Sequence, residues 1–543
     1  MVIIKDKKLM SVGIVLDSFV VPKWIEKIII DIIQAEFVEL KVIIVNLKHT
    51  QNKKQSKNYK HCLYKRYCQV DYKYYSTKVK GNAFEKINVE TSVTQSNNKL
   101  NIYRLNSAGI SLQDIDALGK EKLDVIIQFG FSEITTQLIS LSKNGIWYYP
   151  HDNFGNGYTA EPNFFRAMFN KNNPLEISLN SILIGSEKSN AIYKTQSSVT
   201  RDSLYFNSNA AYWKSTEFIL RKLRDLNEGK MENVKDYSVV PKEKNESKFP
   251  NNLETIKLLF NLGLEKIKSR ISNEQWFLAL KKINGKTEDY TIIKPPLDRF
   301  YADPFIMKKD NKTYIFFEEL IYRKGKGDIS VLEIDPETNS YSTPVTVLEK
   351  PYHLSYPFLY EWEDDIYMIP ETSGNRTIEL YKAINFPYEW ELEKVLIEDI
   401  NAVDATVIHY NKKFWMFANV FIDGSSSLDE LYIFYSDSLF GGWKPHKMNP
   451  VVSNASSARP AGNIFVKGGK LIRPSQNCSF SYGYSVKFNE IVDLSEEAYS
   501  EKLLSEMEPD WYKNNKGTHT YNFNDEYEVI DGRRIERKRF RSK

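Results

Sequence analysis

The chain has 543 residues, 42% hydrophobic and 27% charged, which is the balance of a globular protein and not of a disordered one. A domain of ordinary size holds roughly 100–150 residues, so more than one domain is expected. Lys and Arg total 74 against 70 Asp and Glu, and a net charge of +4 on so long a chain gives no support to a general nucleic-acid binder.

In chain order, MSVGIVL (10–16) reads as a buried strand. VPKWIEKIIIDIIQAE (21–36) has a helical period, with Pro22 placed for a helix start. LKVIIVNL (40–47) is a second strand. Residues 49–80 are rich in Lys, Asn and Tyr without an apolar period, and read as an insertion or mobile loop. LDVIIQFG (123–130) is a third strand, SEITTQLISLSKN a helix, and GIWYYP (145–150) a fourth strand. LEISLNSILIG (175–185) alternates like an antiparallel strand, and SNAAYWKSTEFILRKLRDLNE (208–228) is a helix. This order predicts an α/β domain over 1–228 with a mainly parallel sheet, followed by a polar linker, 229–252.

The fourth strand runs into His151, Asp152 and Asn153, at the strand end where open α/β sheets bind ligands. His151 titrates near neutrality and is a candidate base. HDNFGNGYT (151–159) offers backbone N–H groups to an anionic group. No GxGxxG follows a strand and no GxxxxGK[ST] occurs, so neither a dinucleotide fingerprint nor a nucleotide P-loop is found. Strand order, with GIWYYPHDN and GYTAEPNFFRAMFN (157–170), resembles the 10-formyltetrahydrofolate-dependent formyltransferase fold. The resemblance implies formyl transfer to an amine through an Asn–His–Asp set. Here Trp147 and Tyr149 stand at the Asn and His positions, His151 lies two residues further on, and SILIGSEKSNAIYKT (181–195) offers Glu187 or Lys188 in place of the Asp.

After residue 253 short strands and turn signals replace the helices, and a repeat appears in ADPFIMKKDNKTYIFFEE (302–319), SYPFLYEWEDDIYMIPET (355–372), VDATVIHYNKKFWMFANV (403–420) and ARPAGNIFVKGGKLIRPS (458–475). From Pro304 to Pro357, Ala405 and Pro460 the spacings are 53, 48 and 55 residues, the period of β-propeller blades. WFLALKK (276–282) is expected to begin the ring and HTYNFNDEYEVIDG (519–532) to close it, giving an all-β five-bladed propeller over 253–543.

Equivalent residues of a radial repeat point at one axis. Asp303, Tyr356, Asp404 and Arg459 precede the four reference positions, and Glu318, Glu371, Asn419 and Pro474 follow them by fourteen. Carboxylates accept sugar hydroxyls and an arginine forks onto a carboxylate or phosphate, so the expected site handles a sugar. Paired carboxylates are also the minimum for glycoside chemistry. The 34 Tyr, 30 Phe and 9 Trp suit both a β core and ring-stacking surfaces.

YADPF, SYPF…YMIPET, VDAT, ARPAGNIF and RPSQN together resemble the propeller of the glucosamine inositolphosphorylceramide transferase family, itself similar to five-bladed arabinanase and xylosidase hydrolases. The resemblance implies Asp303 as base and Asp404 as auxiliary acid, with Glu371 and His151 as further catalytic candidates. Arg459, Glu318, Tyr356, Gln476, Asp152 and Asn153 are the expected substrate contacts. The hydrolase acid falls on ASSARPAGN (455–463), which contains none. The expectation is therefore a carbohydrate-active transferase of surface-glycan or glycolipid biosynthesis, taking a sugar, sugar nucleotide or glycolipid. Formyl transfer to an amino sugar with 10-formyltetrahydrofolate, glycoside hydrolysis and a non-catalytic glycan scaffold are the alternatives.

Cys62, Cys68 and Cys478 make neither a disulfide framework nor a zinc site, so no metal is expected. The first residues show no secretory signal pattern, and the apolar run at 28–45 is broken by Asp31, Glu36 and Glu39, so a cytoplasmic protein is expected. The basic tail RRIERKRFRSK (533–543) is a candidate for peripheral contact with anionic lipid.

Overall fold

A computed structural model describes residues 9–46, 59–96, 100–105, 112–130, 136–150, 160–169, 174–186, 189–231, 249–338 and 340–538. The chain forms two compact units, Met1–Phe260 with Asp423–Ser425, and Asn261–Ile422 with Ser426–Lys543.

The first unit is built on a seven-stranded sheet in the order Asn101–Leu105, Val38–Asn46, Met10–Leu16, Val125–Gln128, Ile146–Tyr148, Leu175–Ile182, Asn190–Ser197. The first five strands are parallel and the last two antiparallel. Met10–Leu16 and Val125–Gln128 are buried along their whole lengths, as central parallel strands covered on both faces must be. Leu175–Ile182 instead alternates buried and half-buried residues, and it carries the antiparallel edge. The helix Lys23–Gln34 follows Pro22 and buries Trp24, Ile25, Ile28, Ile29 and Ile32, one apolar stripe at helical spacing.

Two expectations need correction. Part of the segment 49–80, read as a loop, forms the helix Cys62–Tyr75. Its buried face is Tyr64, Cys68 and Asp71, a helical period written with a phenol, a thiol and a carboxylate in place of aliphatic residues. The polar members are satisfied. Tyr64 donates to the Ala160 carbonyl at 2.5 Å, and Asp71 accepts from Ser203 Oγ at 2.8 Å and Tyr205 N at 2.7 Å, at the start of the helix Leu204–Asn227. In the expected helix after residue 130, the described helical residues are only Thr136–Ile139, because Ser142 already bridges Leu123 in the sheet. A further helix, Asn252–Ile271, precedes the first strand of the second unit.

The second unit is a ring of five sheets of four or five strands, and in the first four the strands follow chain order from the axis outward. The inner strands of the first four blades begin at Arg299, Ser355, Ala402 and Phe465. Four innermost hairpins turn on two residues, both at positive φ: Asp310–Asn311, Glu363–Asp364, Asn411–Lys412 and Gly468–Gly469. This is the turn whose twist matches that of paired strands, and it explains why the repeat keeps its length. The fifth blade takes Tyr521–Phe523 and Tyr527–Arg537 from the C-terminal end and Ser272–Lys282 and Thr291–Ile293 from the start of the unit. Ser272–Lys282 pairs antiparallel with Tyr527–Arg537 from Ser272↔Arg537 to Lys282↔Tyr527, so the ring is closed by the two expected segments.

The inner strands share a second device. In the first three blades the register shifts at the strand start, between Ala302 and Phe305, Ser355 and Phe358, and Val403 and Thr406. At each bulge a non-glycine residue takes positive φ: Asp303 at 52°, Tyr356 at 45° and Asp404 at 56°. Such a bulge re-aims side chains at the rim of a barrel or ring. Positive φ on a tyrosine persists only where neighbours over-determine it. Tyr356 donates its own N–H to Asp303 Oδ2 at 3.3 Å, and its hydroxyl meets Thr406 Oγ1 at 2.8 Å and accepts from Gly462 N at 2.8 Å. Tyr521 N donates to the Ala461 carbonyl at 2.8 Å and Asn522 Nδ2 to the Pro304 carbonyl at 2.8 Å, which completes a hydrogen-bonded collar through all five blades.

Gly462 sits in this collar at φ 126°, and a Cβ there would overlap the Tyr521 carbonyl oxygen. Gly462→Ala is expected to destabilise the propeller by about 2–4 kcal/mol, backbone strain and overlap adding. Thermal melting followed by near-ultraviolet circular dichroism checks it.

Candidate functional site

The collar forms the floor of an axial cavity of about 310 Å³. Asp303, Glu318, Glu371 and Arg459 line it, as do His353 and His519 and the rings of Trp276, Phe300 and Tyr482. The first four are sequence-predicted site residues, and the structure brings them together. Asp404, Tyr356 and Gln476 lie beneath the lining, all at 1% exposure or less. Tyr356 spends its hydroxyl inside the collar and is a floor residue. Gln476 donates to Asp404 Oδ2 at 3.0 Å and to the Pro460 carbonyl at 2.9 Å.

The fourth blade corrects the sequence alignment. Pro460 faces Ser475, so Gln476 reaches the axis there, and Pro474 does not. Arg459 occupies the position that carries aspartate in two other blades. Its Nε donates to Asp404 Oδ2 at 2.5 Å and Nη2 to Oδ1 at 3.2 Å, a two-pronged pair with both partners buried. Glu371 Oε2 lies 3.8 Å from the same guanidinium, and that carboxylate also accepts from Ser355 Oγ at 3.0 Å and Ser373 Oγ at 2.7 Å. Tyr482 lies under Arg459, its ring centre 5.1 Å from the guanidinium carbon.

The fifth blade contributes what the four-fold repeat passed over. His519 Nδ1 pairs with Asp531, and its Nε2 lies 3.6 Å from Asp303 Oδ1. Asp531 Oδ1 also accepts from the backbone N–H of His519 at 2.8 Å and of Thr520 at 3.2 Å, while Thr520 Oγ1 donates to Asp303 Oδ1 at 2.9 Å. Trp276 stacks flat on the imidazole with ring centres 3.9 Å apart. Burial alone would lower the His519 pKa, but Asp531 and Asp303 outweigh it and hold the ring above its usual value. Burial raises the Asp303 carboxyl, against the pull of His519. Asp303, His519 and Asp531 each bring one donor atom to within 4.8 Å of the others, a group that fits one metal ion. The imidazole stands between the two carboxylates, paired with Asp531 and 3.6 Å from Asp303.

Glu318 is the odd carboxyl. It is 6% exposed, and Oε1 is buried without a hydrogen bond among the described residues. Its nearest charged-type neighbour is His353 Nε2 at 3.4 Å. His353 Nδ1 accepts from Gly327 N at 2.9 Å, so the proton of the neutral ring sits on Nε2 and faces Glu318. Burial lowers the His353 pKa and keeps that ring neutral. Burial, then Asp303 and Glu371, drive the Glu318 pKa well above 4.5, so this carboxyl holds its proton to a higher pH than an exposed glutamate does.

In the first unit, His151, Asp152 and Asn153, with Glu187 and Lys188, lie outside the described residues. Trp147 and Tyr149, where the resemblance places Asn and His, are core residues at 1% and 2% exposure, and Tyr149 donates its hydroxyl to the Ser215 carbonyl at 2.5 Å. Neither polarises a formyl group, so these residues do not fit 10-formyltetrahydrofolate and no formyl-transfer step is drawn on them.

A family model described as glucosamine inositolphosphorylceramide transferase 1, N-terminal, matches residues 293–540. The chain is 36% identical over 232 residues to glucosamine inositolphosphorylceramide transferase 1 of Oryza sativa subsp. japonica, covering 40% of this chain and 31% of that protein. It is 35% identical over 205 residues to the protein of the same name from Arabidopsis thaliana, covering 37% of this chain and 27% of that one. The chain thus spans less than a third of the length of these relatives. Among solved structures, an exo-1,5-alpha-L-arabinanase from a bovine ruminal metagenomic library is similar at 17% identity and a TM-score of 0.31, over 45% of this chain and 95% of that one.

Glu318 has a consequence for stability. Unfolded, it ionises near 4.5; folded, it stays protonated to well above that value. The folded state then holds the extra proton, and stability falls as pH rises from the unfolded value through the folded one. Glu318→Gln removes this effect. The variant is expected to melt above the wild type at about pH 7 and no higher than it at about pH 4, as parallel thermal melts would read.

Proposed function

We propose that the propeller is the sugar-handling unit of a carbohydrate transferase in glycolipid or surface-glycan biosynthesis, with one sugar held in the axial cavity. The observation that carries this reading is a buried carboxyl with a raised pKa, Glu318, and the Asp303–His519–Asp531 cluster, together in one cavity that aromatic rings help to line. A volume of about 310 Å³ lies at the small end of small-molecule sites, roughly 300–1,000 Å³, and suits a sugar more than an extended chain. Phe300 and Tyr482 offer ring surface to a pyranose, and the carboxylates offer acceptors for its hydroxyls. The names of the matched relatives, which pair glucosamine with inositolphosphorylceramide, support the same class.

In this reading Asp303 takes the proton of the acceptor hydroxyl as that oxygen bonds to the sugar carbon. Its raised pKa makes it a stronger base than an exposed aspartate, and His519 and Asp531 hold its orientation. Glu318 gives its proton to the leaving oxygen as the old bond breaks, and the proton taken up by Asp303 balances the one released. Arg459, neutralised by Asp404 and Glu371, fixes the wall and is not a free anion receptor. Carboxylates therefore outnumber cations around the cavity, which favours a neutral or amino sugar over a nucleotide phosphate inside it.

Glycoside hydrolysis is the second reading, favoured by Glu318 alone, since the first blade would supply the acid that ASSARPAGN lacks. One experiment separates them. The full chain is incubated with nucleotide-activated and lipid-linked amino sugars plus an inositol phosphosphingolipid acceptor, with products read by mass spectrometry. Transfer predicts a glycosylated lipid, reduced at least about a hundredfold by Asp303→Asn and by Glu318→Gln. Free sugar as the sole product would establish hydrolysis, and Asp303→Asn with full activity would remove the cavity from the reaction.

A further inference from the structure

The helix Asn252–Ile271 is amphipathic in the reverse sense from a core helix. Its inward face is short: Thr255 and Leu258 are buried and Leu262 is half-buried. Its outward face carries Leu253, Ile256, Phe260, Leu264, Ile267 and Ile271, spaced by three or four residues and 40–65% exposed. Such spacing keeps all six on one stripe along the whole helix. Monomer surfaces expose large apolar residues singly, and a continuous stripe of this length marks an interaction surface.

Charge placement identifies what the stripe meets. At 100° per residue, Lys257 and Lys268 fall along one edge of the apolar arc and Arg270 along the other, with Lys266 further round the helix beyond Arg270, all four exposed. Glu254 and Glu265 fall on the opposite side, away from the arc. The strand Tyr527–Arg537 adds cationic groups at the C-terminal end of the helix. Arg537 pairs with Ser272, Lys538 N donates to the Ile271 carbonyl at 2.8 Å, and Lys538 Nζ donates to the Ser269 carbonyl at 2.8 Å. A protein partner would set charges against particular opposite charges. An apolar stripe bordered by cations on both edges, with acids kept to the far face, matches the acyl and phosphate layers of a bilayer. No described helix is long and apolar enough to cross a membrane, so the helix lies in the interface plane.

We propose that Asn252–Ile271 is an interfacial helix that docks the protein on anionic lipid surfaces. Leu253, Ile256, Phe260, Leu264, Ile267 and Ile271 enter the acyl boundary, and Lys257, Lys266, Lys268 and Arg270 reach up to the phosphates. This inference stands on the helix alone and does not depend on the reading of the axial cavity.

The test is sedimentation of the full chain with vesicles of phosphatidylcholine and phosphatidylglycerol in equal parts, against vesicles of phosphatidylcholine alone. The wild type is expected to bind the anionic vesicles at least about tenfold more tightly, with affinity falling as salt rises. Ile256→Glu/Phe260→Glu/Ile267→Glu, confined to exposed positions, is expected to weaken binding by about tenfold or more with an unchanged melting temperature. Lys257→Gln/Lys266→Gln/Lys268→Gln/Arg270→Gln is expected to lose the preference for anionic vesicles. No binding by the wild type, or equal binding by the triple-Glu variant, overturns the proposal. So does a wild-type dimer in size-exclusion chromatography that the triple-Glu variant converts to monomer, because the stripe would then be covered by a second copy.

Discussion

The second unit depends on how its five inner strands begin. Three of them arrive at the axis through a bulge that holds a side-chain-bearing residue in left-handed backbone. That conformation is uphill for Asp303 and Asp404 and more so for Tyr356. It is held by hydrogen bonds that run from blade to blade, with the Tyr356 hydroxyl at the centre and Gly462 closing the approach to the fifth blade. A straight strand would alternate its side chains across the sheet. The bulge turns consecutive residues toward the axis, and so converts a structural repeat into a ring of functional groups.

The ring is not symmetric, and its asymmetry is its chemistry. One arc holds Arg459 between Asp404 and Glu371 and is electrically settled. The other holds Asp303, His519 and Asp531 in a linked chain. Glu318 stands apart from both, its pKa raised by burial and by its acidic neighbours against the pull of Arg459. Burial raises Asp303 too, but there His519 opposes the shift, so the two carboxyl groups of one cavity meet different surroundings.

The repeat was legible because its determinants are local. Two-residue turns fix the hairpin length, so ADPF, SYPF and VDAT recur with nearly constant spacing and their neighbours share an environment. Asp303, Glu318, Glu371 and Arg459 were accessible to sequence reasoning for that reason. His519, Asp531 and Trp276 were not, because the fifth blade is assembled from both ends of the unit and its inner hairpin does not use the two-residue turn. The signal was present in HTYN, a polar pair ahead of a short strand, where the other blades carry Ala-Asp, Ser-Tyr, Val-Asp and Ala-Arg. The Cys62–Tyr75 helix escaped because its buried face is chemically polar. The Asn252–Ile271 helix escaped because its apolar residues lie where a linker was giving way to strands, and because exposure cannot be read from a periodicity that looks the same on a core helix and a surface one.

Ring closure by the two ends of the unit sets an order of events during synthesis. The strand Ser272–Lys282 has Thr291–Ile293 on one edge soon after it is made, but its other edge stays unpaired until Tyr527–Arg537 follows. Through that interval one long edge stands open and the axial residues have no common centre. Translation must therefore pass Arg537 before the propeller can lock, and a nascent chain stalled short of that point presents an adhesive strand edge in place of a site.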